Sequence, residues 1–499
     1  MGLEQFTAYS DTASLNNILF IVISTFSLVG YLSLNKIYFF TTSLNLKFLT
    51  IRAVLLLSYI FTIVALVNFL IPINDYISAT FYLIGIVIFI IKFLNKELIL
   101  EFKWIILIIF FIFIYIFQSG YNNDFDYHSH HILLFKNYNI LDFNGHIMDG
   151  RVKYNSAYLL INAITYLSFL PFSIKFLSSF ILATFILDIR SYFKTDNNVP
   201  HLKPLSLFFL ISIFITLSKF KNIGTDYIAH IFFLSLLFFY LYVLSFKKDF
   251  FLNKSFLLIA TVSCTFMVML KISMVLSLLI VLHYLMILYQ NKKTKNIFSL
   301  LVLSPFLIIL PWVFQNLELS KCLIYPIKIL CFVDENSISP IVFEHNMINL
   351  FAKSVKINYW NESIQYLIEL NKFPNWLTYW LNDHFFKIIE KFVPILLLFY
   401  ISLFKVTHRK SNYSNFLICY EFPRIFTIIF LIILGIWFLQ APAMRFGFSY
   451  LVVCFYLLAI NILKVFNFSY VDLNKDNYYL KLTDILIALF FLYQILRII

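Results

Sequence analysis

The sequence predicts an all-α, polytopic integral membrane protein with about 12–14 transmembrane helices, each needing about 20 apolar residues. Three observations predict it. Of the 499 residues, 61% are hydrophobic and only 13% are charged, against about 25% charged in soluble domains. Mean hydropathy is +0.87. The apolar residues are gathered into long runs, while glycine (9) and proline (12) are scarce. A soluble enzyme, a disordered chain, a disulfide scaffold and a β-barrel do not fit these values.

The runs give the elements in order. Candidate spans lie near 15–34, 53–72, 77–93, 104–119, 204–218, 227–246, 255–271, 273–290, 297–315, 393–405, 425–440, 446–463 and 484–499. Residues 1–16 carry Glu4 and Asp11 without a basic start, so the first run reads as a retained helix rather than a cleaved signal. Cationic connections occur at 36–52, 190–203, 247–254, 291–295 and 405–424. Basic loops stay on the cytoplasmic side. That rule places the N-terminus, 119–152 and 316–392 on the opposite, outer side. The chain then reads as a single polytopic domain, 1–499, with two outer loops.

Residues 153–189 break the alternation. Two apolar pieces, roughly 154–170 and 172–187, flank Pro171. Two full crossings would put 190–203 on the wrong side, so parity asks for one crossing and one re-entrant or interfacial helix. Irregular backbone at membrane depth is tolerated only where protein or a water-filled cavity covers it.

The net charge is +13, but it sits in the short connections. No water-exposed basic patch is left for nucleic acid. The five cysteines, Cys264, Cys322, Cys331, Cys419 and Cys454, match no zinc or CxxC spacing. Cys322 and Cys331 share the long outer loop, and a chain reversal at Tyr325-Pro326 would allow a disulfide; the alternative is two buried thiols.

Chemistry concentrates in the first outer loop, 119–152. It holds Asp124, Asp126, Asp142 and Asp149 with His128, His130, His131 and His146. Carboxylates just outside a helix end hold a divalent cation or accept a proton from a hydroxyl. The competing explanation is that Asp124 or Asp126 caps the next helix. Residues 126–138 fit a short amphipathic helix with Tyr127, His131, Leu134 and Phe135 on one face. No HxxxH pair with a third metal ligand is evident. Asp142 and Asp149 lie in a turn-rich return and read as loop-ordering residues.

An acidic pair followed by a short interfacial helix in the first outer loop resembles the GT-C class of polytopic glycosyltransferases. Asp126-Tyr127-His128, then Asn144-Gly145-His146 leading to Arg151 and Asn155-Ser156, is similar to a bacterial GT-C-like family linked to surface polysaccharide, of the O-antigen-polymerase kind. Lys271-Ile272-Ser273 between two helices, Trp312 through Asn316, Cys322 through Pro326, and Arg445-Phe446 extend the likeness over most of the chain. Gln315 stands where that family has arginine, and Cys322 where it has serine-glycine.

The resemblance implies a transferase that takes a polyprenyl-phosphate- or diphosphate-linked sugar at the outer face of the bacterial inner (plasma) membrane. Its partners would be that donor, a saccharide or lipid-linked acceptor, and membrane lipids. Asp126 is expected to be the catalytic carboxylate, with Asp124 second. His128, His146, Arg151, Asn155 and Tyr325 are expected to contact substrate. Mg or Mn on Asp124 and Asp126 is compatible with the pattern, although related enzymes work without metal. Arg445 and Lys271 separate apolar runs at depth, where a cation faces a cavity or partner, or snorkels to headgroups. They are expected to converge on one phosphate. Trp360, Trp376 and Trp380 mark the loop 316–392 as an interfacial lid or a saccharide platform.

Transfer of one sugar and polymerisation of whole repeat units are not separated by the sequence. The alternative class is a transporter or flippase of lipid-linked saccharide. It would string charges through helix centres and repeat its halves. Here the helix interiors are nearly uncharged and no repeat is visible, which favours the enzyme over the transporter. A purely structural subunit leaves the Asp/His cluster unexplained.

Overall fold

The structure, a computed structural model, describes residues 15–34, 48–118, 123–143, 152–168, 175–193, 202–216, 225–246, 254–291, 304–325, 327–332, 335–355, 363–404, 424–465, 484–486 and 488. The fold is all-α, and no strand forms among the described residues. Among the described residues, five helical segments are long and apolar enough to cross a membrane: Leu49–Leu70, Asp75–Leu94, Tyr227–Leu244, Ile272–Gln290 and Met444–Ile462. Shorter apolar helices accompany them. The chain divides into two compact units, one of residues 1–188, 220–319 and 485–499, the other of 189–219 and 320–484.

The first unit contains α1 (Leu15–Leu32), α2 (Leu49–Leu70), α3 (Asp75–Leu94), α4 (Phe102–Gln118), α5 (Asn123–Asn137) and α6 (Val152–Thr165). It continues through most of α7 (Phe176–Phe193), then α9 (Thr225–Phe246), α10 (Lys254–Leu270), α11 (Leu278–Gln290) and α12 (Ser304–Ser320). Burial ranks the helices. Within its apolar window α9 is 89% buried and α3 only 28%. A helix apolar all round and buried all round is central, whereas α3 leaves Leu83, Ile84, Val87 and Ile90 exposed, as a lipid-facing helix does. Both apolar pieces expected at 153–189 are helical, as α6 and α7; Pro171 lies outside the described residues. α6 has 14 residues, a rise of about 21 Å, short of the ~30 Å hydrocarbon core.

Two contacts set how tightly this unit packs. Gly30 of α1 and Gly85 of α3 face each other; a Cβ on Gly30 would lie 2.2 Å from the Gly85 carbonyl oxygen. Only glycine permits that approach. At the other contact, Asp188 of α7 accepts hydrogen bonds from the Leu49 and Thr50 backbone N–H groups at 2.7 and 2.8 Å. These are first-turn donors of α2 with no partner inside the helix. Arg52 donates to the Leu32 carbonyl at the end of α1, at 2.9 Å. The buried acid and the buried base thus close one helix start and one helix end.

The second unit holds α8 (Leu202–Thr216), α13 (Glu335–Ala352), α14 (Ile364–Asn371), α15 (Phe386–Phe404), α16 (Arg424–Gln440) and α17 (Met444–Val465). Aromatic rings pin α8, α15 and α17 together: Phe208 lies 5.2 Å from Phe399 and 5.6 Å from Tyr456, and Phe392 stacks on Phe455 at 4.2 Å. Before α15 the chain runs through a helical turn, Leu377–Trp380, and a π-turn, Leu381–Phe385. The apolar run expected at 393–405 is therefore the end of a longer rod that begins at Leu377, inside the loop 316–392.

Candidate functional site

In α5 the helix begins at Asn123, three residues ahead of the expected start. Asp124 and Asp126 are therefore its second and fourth residues, and neither occupies the capping position. Acidic residues in a first turn complement the positive end of the helix dipole. Their side chains, and that of Asn155 in the first turn of α6, lie outside the described residues, as do His146, Asp149 and Arg151 entirely. The inner face of α5 is plain: His128, His131, Ile132, Leu134 and Phe135 are all buried. The helix packs on α6, with the His128 ring edge-on to Tyr158 at 6.4 Å. Asp142 accepts from the Asn139 side chain at 2.7 Å, which fits its expected loop-ordering role.

The same helix carries a residue that sequence reasoning missed. Lys136 is buried, its Nζ 2.9 Å from Asp75 Oδ1 and 2.6 Å from Ser78 Oγ. Asp75, at the start of α3, also accepts from the Ser168 backbone N–H at 3.3 Å and from the Ser168 hydroxyl. Burial pulls the Lys136 ammonium below its ordinary range, and Asp75 opposes that shift. The signal was present in the period: 128, 132 and 136 fall on one helical face.

Lys271 is buried at the junction of α10 and the 3₁₀ turn Ile272–Ser277. Its extended backbone (φ −156°) breaks the helix between Met267 and Met274. In α12 the helix continues through Ser320, so Trp312, Gln315 and Asn316 sit inside it and not at a loop edge. Trp312 and Gln315 are fully buried, yet the indole N–H and both ends of the carboxamide lack hydrogen-bond partners. Each such atom costs about 1–3 kcal/mol.

In the second unit, Cys322 and Cys331 form the expected disulfide, with Cα atoms 3.8 Å apart. The Leu323 and Phe332 backbone N–H groups donate to Leu330 and Lys321 carbonyls, both at 2.8 Å, making a short hairpin. Within it Tyr325 is buried and its hydroxyl bonds the Glu344 carboxylate. Burial, then Glu344, pushes that phenol far above its usual range. The Arg445 guanidinium carbon lies over the rings of Phe351 and Phe446, 5.0 and 4.8 Å from their centroids.

Beside Phe351, α13 ends in a left-handed Ser354 (φ 59°), a conformation usually left to glycine. The Ser354 hydroxyl meets His384 Nε2 at 2.8 Å and bonds Asp383, both from the π-turn. His384 is also hydrogen-bonded to the Ala352 backbone; burial lowers its pKa, with Asp383 opposing and Lys387 and Arg445 adding. The Lys387 ammonium bonded to Asp383, with Ser354, holds that carboxyl low. Lys353 is buried and donates to the backbone and side-chain oxygens of Asn371 at 3.0 and 3.1 Å. Asn371 is the last residue of α14, so the ammonium closes that helix end. Trp376 packs under the same ammonium at 5.1 Å, and Trp380 donates to the Pro442 carbonyl at 2.8 Å. Both tryptophans are thus built into the loop; Trp360 lies outside the described residues.

Tyr325 and Arg445 belong to the second unit, and Asp124, Asp126, His128, Asn155 and Lys271 to the first. Among the described residues no group of three or more His, Cys, Asp or Glu side chains is placed to hold a metal ion.

A family model described as a domain of unknown function, DUF8201, matches residues 14–452. The chain belongs to the DUF8201 family. No curated protein and no solved structure matches it. The matched segment includes all the expected site residues and the loops 119–152 and 316–392.

Proposed function

We propose that this DUF8201 member is a GT-C-like membrane glycosyltransferase. It takes a polyprenyl-phosphate- or diphosphate-linked sugar at the outer face of the bacterial inner membrane, in surface polysaccharide assembly. The observation that carries the reading is the start of α5. Two aspartates occupy the first turn of a short helix whose other side is fixed against α6, beside a bundle of apolar helices. A carboxylate held there orients or deprotonates an acceptor hydroxyl as it attacks the anomeric carbon. Asp126 takes that role and Asp124 supports it, with or without Mg or Mn. Arg445, whose guanidinium lies over two aromatic rings, and Lys271 neutralise the departing phosphate. His128, His146, Arg151, Asn155 and Tyr325 complete the substrate contacts. On this reading the bundle has about 12–14 crossings, with α6 re-entrant. The Cys322–Cys331 disulfide supports an extracytoplasmic place for its loop, because disulfides persist in oxidising compartments.

The test is transfer of radiolabelled sugar from undecaprenyl-linked donors by protein in lipid nanodiscs. Asp126→Asn is expected to lower the rate about 10²–10⁴-fold with normal insertion. Full activity in both Asp126→Asn and Asp124→Asn would move the reading to translocation of lipid-linked saccharide.

A further inference from the structure

We infer that the buried face of α12 carrying Trp312 and Gln315 is a contact surface for saccharide hydroxyls, held closed in this structure; the inference rests on the glycosyl-transfer reading. One stripe of α12 is buried: Ile308, Trp312, Gln315, Asn316 and Leu319, spaced as a single helical face. The opposite stripe, Phe306, Leu307, Leu310 and Phe314, is exposed and apolar. A helix that needed only to pack would fill its buried stripe with apolar side chains. This one places an indole and a carboxamide three residues apart, with 1% and 0% exposure. It leaves the indole N–H, the amide nitrogen and the amide oxygen without partners.

Three unpaired atoms of this kind specify the chemistry of a partner that would satisfy them. The indole and the amide nitrogen donate only, and the amide oxygen accepts only. The ionised diester phosphate of a lipid-linked sugar accepts and does not donate, so it leaves the amide oxygen unpaired; a metal ion leaves both donors unpaired. Neighbouring sugar hydroxyls both donate and accept, and satisfy all three. The flat indole adds a face for sugar C–H groups. Closed, the face carries polar atoms without partners; opened onto a sugar, it recovers them, so the ligand selects the open state.

The experiment measures equilibrium binding of radiolabelled undecaprenyl-phosphate- and undecaprenyl-diphosphate-linked hexoses and N-acetylhexosamines to nanodisc protein. It is paired with thermal unfolding of the ligand-free protein. Gln315→Leu is expected to unfold at higher temperature than the wild type, and to bind roughly 10–100-fold more weakly. Trp312→Phe, which keeps a ring and removes only the N–H, is expected to bind roughly 5–10-fold more weakly. It decides the matter if Gln315→Leu fails to insert. Wild-type binding by either variant means that water alone meets these atoms, and overturns the inference. Asp126→Asn separates the two claims, since it is expected to bind normally without turnover. A wild type that binds without transferring sugar removes the enzyme and leaves the contact surface. A wild type that binds none of the donors removes the contact surface.

Discussion

Lys136 Nζ stands 2.9 Å from Asp75 Oδ1, and this pair ties the far end of α5 to the first residue of α3. The lysine side chain is 4% exposed and the aspartate 31%, so the burial cost falls on the lysine. The Ser78 hydroxyl, the Ser168 backbone N–H and the Ser168 hydroxyl spread the two charges over three further hydrogen-bonding groups. α5 is therefore fixed at the end opposite Asp124 and Asp126.

Removing one partner strands the other. Lys136→Met is expected to destabilise by about 1–3 kcal/mol, below the 3–5 kcal/mol of a fully buried pair because Asp75 keeps access to water. Adding Asp75→Asn should return part of that loss. Thermal unfolding of the two single variants and the double variant gives the coupling; strictly additive losses would show that the pair does not couple.

The hairpin disulfide closes a loop with a separation of nine residues. Loop-closure entropy assigns such a link about 2.5 kcal/mol. Cys322→Ser is expected to lower the unfolding midpoint accordingly, as reductant does to the wild type. Non-reducing peptide mass spectrometry should recover the linked pair from membranes. Free thiols at both positions would contradict the pairing.

Glycines in similar apolar helices should respond in opposite ways. Gly30→Ala drives a Cβ into the Gly85 carbonyl, while a Cβ on Gly435 meets nothing within 4 Å. Gly30→Ala is expected to push α1 from α3 at a cost of about 1–3 kcal/mol. Gly435→Ala is expected to gain about 0.5–1 kcal/mol of helix propensity. Unfolding midpoints shifted the same way in both would refute the close crossing.

Burial pulls the Lys353 ammonium down from 10.5 to about 8. The folded value lies below the unfolded one, so between those limits the unfolded chain binds more protons. Stability therefore rises with pH through that window and carries a constant penalty below it. Lys353→Met removes the dependence. The difference in unfolding midpoint between wild type and variant, followed from pH 7 to above 10, is expected to widen in favour of the wild type; a flat difference would mean that Lys353 titrates normally.

The all-α class and most helix positions were legible because apolar runs report burial in lipid directly. Boundaries were less so. The apolar run expected at 297–315 stops at Gln315, yet helical hydrogen bonding tolerates Gln315 and Asn316 and continues to Ser320. Cys322 and Cys331 were paired from spacing and a turn alone. Lys136, His384 and Lys353 were missed because each serves a partner distant in the chain, Asp75, Ser354 and Asn371. A run of letters does not say which helix end a cation will close.

The π-turn at Leu381–Phe385 has a genetic consequence. It adds one residue per turn, so everything before it is rotated by about 100° relative to a regular α-helix. That offset aims Asp383 and His384 at Ser354 while Ile388, Phe392, Ile395 and Phe399 stay in the core. An in-frame loss of one codon inside the turn would heal the helix into ordinary geometry. The half of the rod after the turn would keep its packing, while Asp383 and His384 would lose their aim at Ser354.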